Sequence, residues 1–96
     1  MRGGWVYIMA NKPDGVLYIG VTADLAARVA QHRAGSGSYF CRKYNLRRLV
    51  LVEPYPTIEE PIAREKAMKE WHRAWKIRRI EEDNPKWDDL WERINS

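Results

Sequence analysis

Residues 5–20 read Trp-Val-Tyr-Ile-Met-Ala-Asn-Lys-Pro-Asp-Gly-Val-Leu-Tyr-Ile-Gly. Trp5 to Met9 and Val16 to Ile19 are rich in β-branched and aromatic residues, and both are expected to be strands. Asn11 to Gly15 between them is a dense group of turn formers, in which Pro13 fixes one φ angle and Gly15 permits a positive one. The three pieces predict a β-hairpin. With the turn centred on Lys12 and Pro13, Tyr7 falls opposite Tyr18. Both rings then point to the same side of the ribbon, because facing residues on antiparallel strands share a face.

Downstream, Gly20 is expected to close the second strand. Thr22 or Asp24 can cap a helix from about Leu25 to Ala34, with Gly35 placed to end it. Leu25 and Val29 lie one turn apart and form its buried stripe. Arg28 and His32 have the same spacing, so they sit one above the other on a neighbouring part of the helix surface. A Gly-Ser loop at 35–38 precedes a helical turn at 39–44. Arg47 and Arg48 then lead into a third strand, Leu49 to Val52, ended by Pro54 and Pro56. Thr57 and Glu60 have the spacing of a capping box and start a helix through about Trp71, with Pro61 one position late for a helix start. The basic, tryptophan-bearing stretch 71–80 continues the helical pattern, with Trp71 and Trp75 in the core and Arg73, Lys76, Arg78 and Arg79 on the wet side. Asn84 and Pro85 read as an N-cap and first-turn proline, opening a helix whose stripe is Trp87, Leu90, Trp91 and Ile94. Two strands, a helix, a strand and then helices make a small α+β structure: a three-stranded, mostly antiparallel sheet flanked by helices.

With 96 residues, 45% hydrophobic and 31% charged, the chain has the size and balance of a single folded domain over 1–96 and is too apolar to stay disordered. Its apolar runs are far shorter than the roughly 20 residues needed to span a bilayer, which excludes an integral membrane protein. Met1 to Gly4 and the short apolar run after them do not make a signal peptide. The single cysteine, Cys41, forms no intrachain disulfide. A cytoplasmic protein is therefore expected. The net charge is +4, and it is unevenly spread: residues 1–55 hold eight basic and three acidic side chains, residues 56–96 nine and ten. Such asymmetry suits a polyanionic partner such as nucleic acid, although charge alone does not say whether the protein cuts it, binds it or ignores it.

Several residues could carry chemistry. Glu65 has Ile58, Ile62 and Met68 at i−7, i−3 and i+3, so its carboxylate emerges from an apolar strip, where a divalent cation or a guanidinium would compensate it. An i, i+4 salt bridge to Lys69 on a half-exposed face is the alternative. Arg28 and His32 offer a guanidinium for a phosphate oxygen and a proton carrier one turn away, or else a solvated helix face. Tyr7 and Tyr18 can orient a water or simply pack. There is no zinc-type His/Cys spacing and no Walker-type phosphate loop.

Taken in order, Trp5-Val6-Tyr7, Tyr18-Ile19-Gly20, the segment Ala23 to His32, Ala63-Arg64-Glu65-Lys66 and the tail Asn84 to Leu90 resemble the GIY-YIG nuclease superfamily, in particular its small stand-alone bacterial members. Nearly the whole chain is covered. The resemblance implies metal-dependent endonucleolytic hydrolysis of phosphodiester bonds in DNA, with selectivity for particular DNA structures as one form of it, and one divalent cation, usually Mg²⁺. By position, Glu65 would hold the metal and Arg28 would stabilise charge on the phosphate. Tyr7 would position or deprotonate the attacking water, with Tyr18 and His32 hydrogen-bonding around the same phosphate. Arg42, Lys43, Arg47 and Arg48 would grip the nucleic acid beside them. Trp5-Val6 stands where the family has Gly-Ile. Asn84 is the counterpart of a family asparagine, at a greater distance from Glu65 than in many members. Many of these nucleases are targeted by an added domain, for which 96 residues leave no room. A non-catalytic nucleic-acid-binding module and a subunit whose protein partner supplies specificity are the competing expectations.

Overall fold

A computed structural model describes residues 3–94; Met1 and Arg2 of the N-terminal stretch weighed above lie outside the described residues. Three strands, β1 (Gly4–Ala10), β2 (Leu17–Thr22) and β3 (Arg48–Tyr55), make one sheet in the order β2-β1-β3. Both pairings are antiparallel. The helices are α1 (Leu25–Ala34), α2 (Tyr39–Lys43), α3 (Glu59–Lys69), α4 (Arg73–Asp83) and α5 (Trp91–Ile94). The α+β class expected from the sequence is the class observed.

The central strand is buried on both faces, and its alternation sorts the core. Val6, Ile8 and Ala10 join Ile19, Val50, Leu51, Met68, Ile80 and Trp87 on the side covered by α3 and α4. Tyr7 and Met9 point the other way, against Leu25 and Val29 of α1, Cys41 and Leu46 of the segment after it, and Leu49 of β3.

The hairpin forms, with a register two residues from the expected one: Tyr7 pairs with Gly20 and Met9 with Tyr18. Side chains alternate with a period of two, so a slip of two keeps both tyrosines on the same face. Strand β2 continues past Gly20 to Thr22. The turn closes through Gly15 N–H donating to the Lys12 carbonyl at 3.0 Å, and it is Asp14, at φ 56°, that takes the left-handed conformation. Pro54 does not end β3 but sits within it opposite Trp5, a position an edge strand tolerates because proline's missing donor costs no interior ladder bond.

The second half departs further. Thr57 and Glu60 do meet, at 2.9 Å, but side chain to side chain; Ile58 is the N-cap of α3 and offers no side-chain bond. The helix stops at Lys69, and residues 70–72 break the run expected to continue through Ile80. Trp71 is half-buried and packs against the core cluster at its margin, whereas Trp75 is 51% exposed and is not a core residue. Asn84 ends α4 instead of opening a helix, Trp87 adopts φ 58°, and only Trp91–Ile94 is helical beyond it among the described residues. The expected apolar stripe therefore divides: Trp87 enters the cluster beneath α4, and Leu90, Trp91 and Ile94 pack on the opposite face. The crossing is tied to the outer edge of β3, where Leu90 N–H donates to the Leu49 carbonyl at 2.8 Å and Leu49 N–H donates to Asp89 Oδ1 at 3.1 Å. Among the described residues, no strand pairs with the outer edge of β2, and no helix is long and apolar enough to cross a membrane.

Candidate active site

Strands β1 and β2 and helix α1 converge on one buried polar cluster. Tyr7 Oη lies 2.8 Å from His32 Nε2. Tyr18 completes the group, with ring centroids 6.3 Å from Tyr7 and 5.4 Å from His32. The backbone is shaped to admit these rings. Gly20 faces Tyr7 across the ladder, and a Cβ there would stand 2.5 Å from Tyr7 Cζ and Oη. A Cβ at Gly37 would stand 2.7 Å from His32 Nδ1. Any side chain at either position would push a ring out of place.

Helix α1 is well defined at both ends, which sets Arg28 and His32 relative to the sheet. Asp24 Oδ1 accepts the Ala27 N–H at 3.2 Å, and Gly35 closes the helix in the left-handed conformation, φ 81°. His32 is 1% exposed, so the helix face it occupies is buried and not solvated. Arg28 is half-buried and donates to Gln31 Oε1 at 3.1 Å.

Electrostatics set the protonation states. Burial, and secondarily the Arg28 charge, push His32 down to about 4, so the imidazole is neutral at neutral pH. Burial and neighbouring Tyr18 raise the Tyr7 hydroxyl above its ordinary value, against an opposing pull from Arg28. Burial also raises Cys41, to about 11, leaving it an inert thiol. Tyr7 is thus a neutral phenol bonded to a neutral imidazole whose other nitrogen, Nδ1, is buried without a partner among the described residues.

Glu65 is on α3, which packs over the other face of the sheet, apart from this cluster. Its side chain is 23% exposed, and the carboxylate pairs with Lys69 at 3.3 Å. Of the apolar neighbours expected around it, Met68 is buried and Ile62 is largely exposed. The adjoining Arg64 reaches the buried Glu53 with Nε at 3.0 Å and Nη2 at 3.1 Å, which fixes the rotation of α3 on the sheet. Lys69, one turn beyond Glu65, lines a cleft of about 250 Å³ along the β2 edge together with Tyr18 and Phe40. That edge is where the two sides of the candidate site approach each other. Among the described residues, no three His, Cys, Asp or Glu side chains cluster as a metal cage. Magnesium is commonly held by one or two carboxylates and completed by waters and substrate phosphates. A single part-buried carboxylate that already accommodates an ammonium fits that donor set.

The four arginines and lysines expected to grip nucleic acid divide into two pairs. Arg42 and Lys43 are exposed on α2, over Tyr39 and Tyr44. Arg47 donates to Asn45 Oδ1 at 2.7 Å and to the Arg33 carbonyl, and Arg48 donates to the Trp87 carbonyl at 2.8 Å; both tie loops together. Asn84 is buried, its amide donating to the Val50 and Asp88 carbonyls while its oxygen accepts the Asp88 N–H. Sequence reading does not single out Phe40, Gly37 or the structural carboxylate Glu53. For Glu53 a signal is present in the lone acid within an apolar strand.

The GIY-YIG catalytic domain model matches residues 3–78. The chain is 37% identical over 82 residues to a UPF0213 protein of Staphylococcus aureus strain Mu3, covering 85% of this chain and 99% of the relative. It is 36% identical, over the same shares, to a UPF0213 protein of Staphylococcus haemolyticus. No solved structure matches the chain. With the paired tyrosine motifs, the arginine-bearing helix and the Glu65 segment all inside the matched span, the chain belongs to the GIY-YIG catalytic-domain family.

Proposed function

We propose that this chain is a single-domain, cytoplasmic, metal-dependent endonuclease that hydrolyses phosphodiester bonds in DNA. The observation that carries the reading is the buried Tyr7–His32 hydrogen bond at 2.8 Å with Tyr18 against both rings. A packing tyrosine does not need a desolvated imidazole, a cleared glycine and a neighbouring guanidinium.

The Tyr7 hydroxyl shares a hydrogen bond with His32 Nε2 and stands beside the Arg28 guanidinium, which fixes its oxygen where it can orient the attacking water toward phosphorus. With its proton held firmly, Tyr7 orients that water. Arg28 stabilises the negative charge that grows on the phosphoryl oxygens, the kind of preorganised electrostatic help that is worth about 10²- to 10³-fold in rate. Tyr18 hydrogen-bonds beside it. Glu65 would hold one divalent cation in place of the Lys69 ammonium it now pairs with. When bound, such a cation would supply a water of lowered pKa and neutralise charge developing on the phosphate. Arg42 and Lys43 contact flanking phosphates.

The test is cleavage of labelled single-stranded, duplex, flap and four-way-junction DNA in Mg²⁺, Mn²⁺ or EDTA, beside Glu65→Ala. Cleavage that requires metal and is lost in the variant is the expected result. Binding without cutting in every metal overturns the enzyme in favour of a binding module, and cutting that appears only with cell extract points to a partner-dependent subunit.

A further inference from the structure

The catalytic cluster does not end at Tyr18. Phe40 on α2 stands 6.2 Å from Tyr18 between centroids, and Tyr44 stands 4.8 Å from Phe40. A continuous aromatic file thus runs from the buried Tyr7–His32 pair to the surface, where Phe40 is 39% and Tyr44 41% exposed. Core packing does not explain two large rings left in solvent at the mouth of a polar site. Cations flank the file on both sides. Arg42 and Lys43 lie on α2 itself, and Lys69 and Lys76 line the β2-edge cleft opposite Phe40. The cleft continues past Lys76 and Leu17 into a wider one, about 630 Å³, that also holds Lys12 and Arg73. The tail ties down the β3 edge, whereas among the described residues no segment covers the β2 edge in the same way.

Exposed rings in series between cations match one ligand chemistry: bases that have left their stack, joined by phosphates. Stacking needs a free base face, which duplex DNA withholds, and it is tolerant of sequence because every base has one. We propose that Phe40 and Tyr44 form a base-stacking subsite that selects unpaired DNA next to the scissile phosphate, with Lys69 and Lys76 guiding the strand along the β2 edge. The proposal rests on the nuclease reading of the same site for the word scissile, and on the aromatic file alone for the binding.

Binding in EDTA separates the two. Fluorescence anisotropy of labelled oligothymidylate, and of a duplex of equal length, is measured with wild-type protein, Phe40→Leu, Phe40→Tyr, Tyr44→Leu and Lys76→Glu, each checked by thermal melting. The expected result is tighter binding of the single strand than of the duplex. Phe40→Leu should lose about tenfold in single-strand affinity, within the range for one stacked base, and Phe40→Tyr should restore it. Tyr44→Leu should lose less. Lys76→Glu should weaken binding and flatten its salt dependence by about 0.7 in log–log slope for each phosphate it leaves without a cation. Equal affinity for duplex and single strand overturns the proposal, as does unchanged single-strand binding in both leucine variants. Single-strand binding that behaves as expected in a protein that never cuts leaves this subsite standing and removes the nuclease.

Discussion

The two faces of the sheet each bury a polar group, and they treat it differently. Under α3 and α4, Glu53 is 6% exposed and fully answered: Arg64 grips both carboxylate oxygens, Arg79 Nε donates at 2.7 Å and Tyr55 Oη at 2.9 Å. Under α1, the His32 ring is buried more deeply and, among the described residues, has one hydrogen-bond partner and keeps Nδ1 unpaired. A saturated network gains rigidity and has nothing left to offer a ligand; an unsaturated one gives up stability for groups that stay available. The first holds α3 and α4 to β3. The second is where the nuclease reading proposed above places its chemistry.

Removing Glu53 is the strongest test of that difference. Glu53→Ala strands two guanidinium groups and should cost about 3 kcal/mol, the low end for a broken buried pair because both arginines reach water. For a chain of this size that is roughly a 12–24 °C fall in melting temperature, while the DNA cleavage of the protein still folded at low temperature should persist. A variant that melts normally but no longer cuts would reverse the roles of the two faces.

Tyr7→Phe should do the opposite. It leaves the His32 ring with no hydrogen-bond partner among the described residues, at a cost of about 1–2 kcal/mol, and should lower cleavage by about 10²-fold or more. Gly20→Ala, which drives a methyl group into the same ring, should reproduce the loss of activity with the Tyr7 hydroxyl still present.

The contrast between the faces also marks where sequence reading succeeds. The hairpin, helix α1 with its Asp24 and Gly35 ends, and the shared face of Tyr7 and Tyr18 follow from local rules, and the face survives a two-residue error in register because the strand period is two. The buried site's shape is legible only in part. Nothing local marks His32 as buried, since its seat is made by Gly37 and Tyr7, five residues ahead and twenty-five behind. On the other face, one uninterrupted helical pattern spans 58–80, whereas the chain breaks at 70–72 and buries both Met68 and Ile80 in the same cluster. The left-handed Trp87 carries a side chain that disfavours it and is held there by tertiary contacts. Pro54 reads as a strand end until β3 is known to be an edge.

Acid titration separates the two buried groups. Glu53 is desolvated, which alone would raise its pKa, but its hydrogen bonds to Arg64, Tyr55 and Arg79 outweigh that and hold it below the ordinary 4.5. Its contribution is therefore complete above pH 4.5 and is lost as pH falls through the depressed folded value. His32 is depressed from 6.5 to about 4. The unfolded chain takes up its proton first, so stability on this account is full above pH 6.5 and declines between pH 6.5 and 4. His32→Gln should flatten the wild-type decline in that window and leave the steeper loss at lower pH intact. Glu53→Gln should do the reverse. An unchanged slope from pH 6.5 to 4 in His32→Gln would mean that the imidazole is not held neutral in the fold.

The smallest effects distinguish the helices that carry the two sides. On α1, the Asp24 carboxylate bonds the Ala27 N–H and fixes the first turn ahead of Arg28 and His32; Asp24→Ala should cost about 1 kcal/mol. On α3, Thr57 meets the Glu60 side chain in solvent, and the donors of the first turn are helped by the charges of Glu59 and Glu60 instead. Thr57→Val should therefore stay within about 0.5 kcal/mol of wild type. Denaturant melts of the pair decide between a sequence spacing and a bond: equal losses would mean that Thr57 caps α3 after all, and that the rotation of α3 depends on it as well as on the Arg64–Glu53 pair.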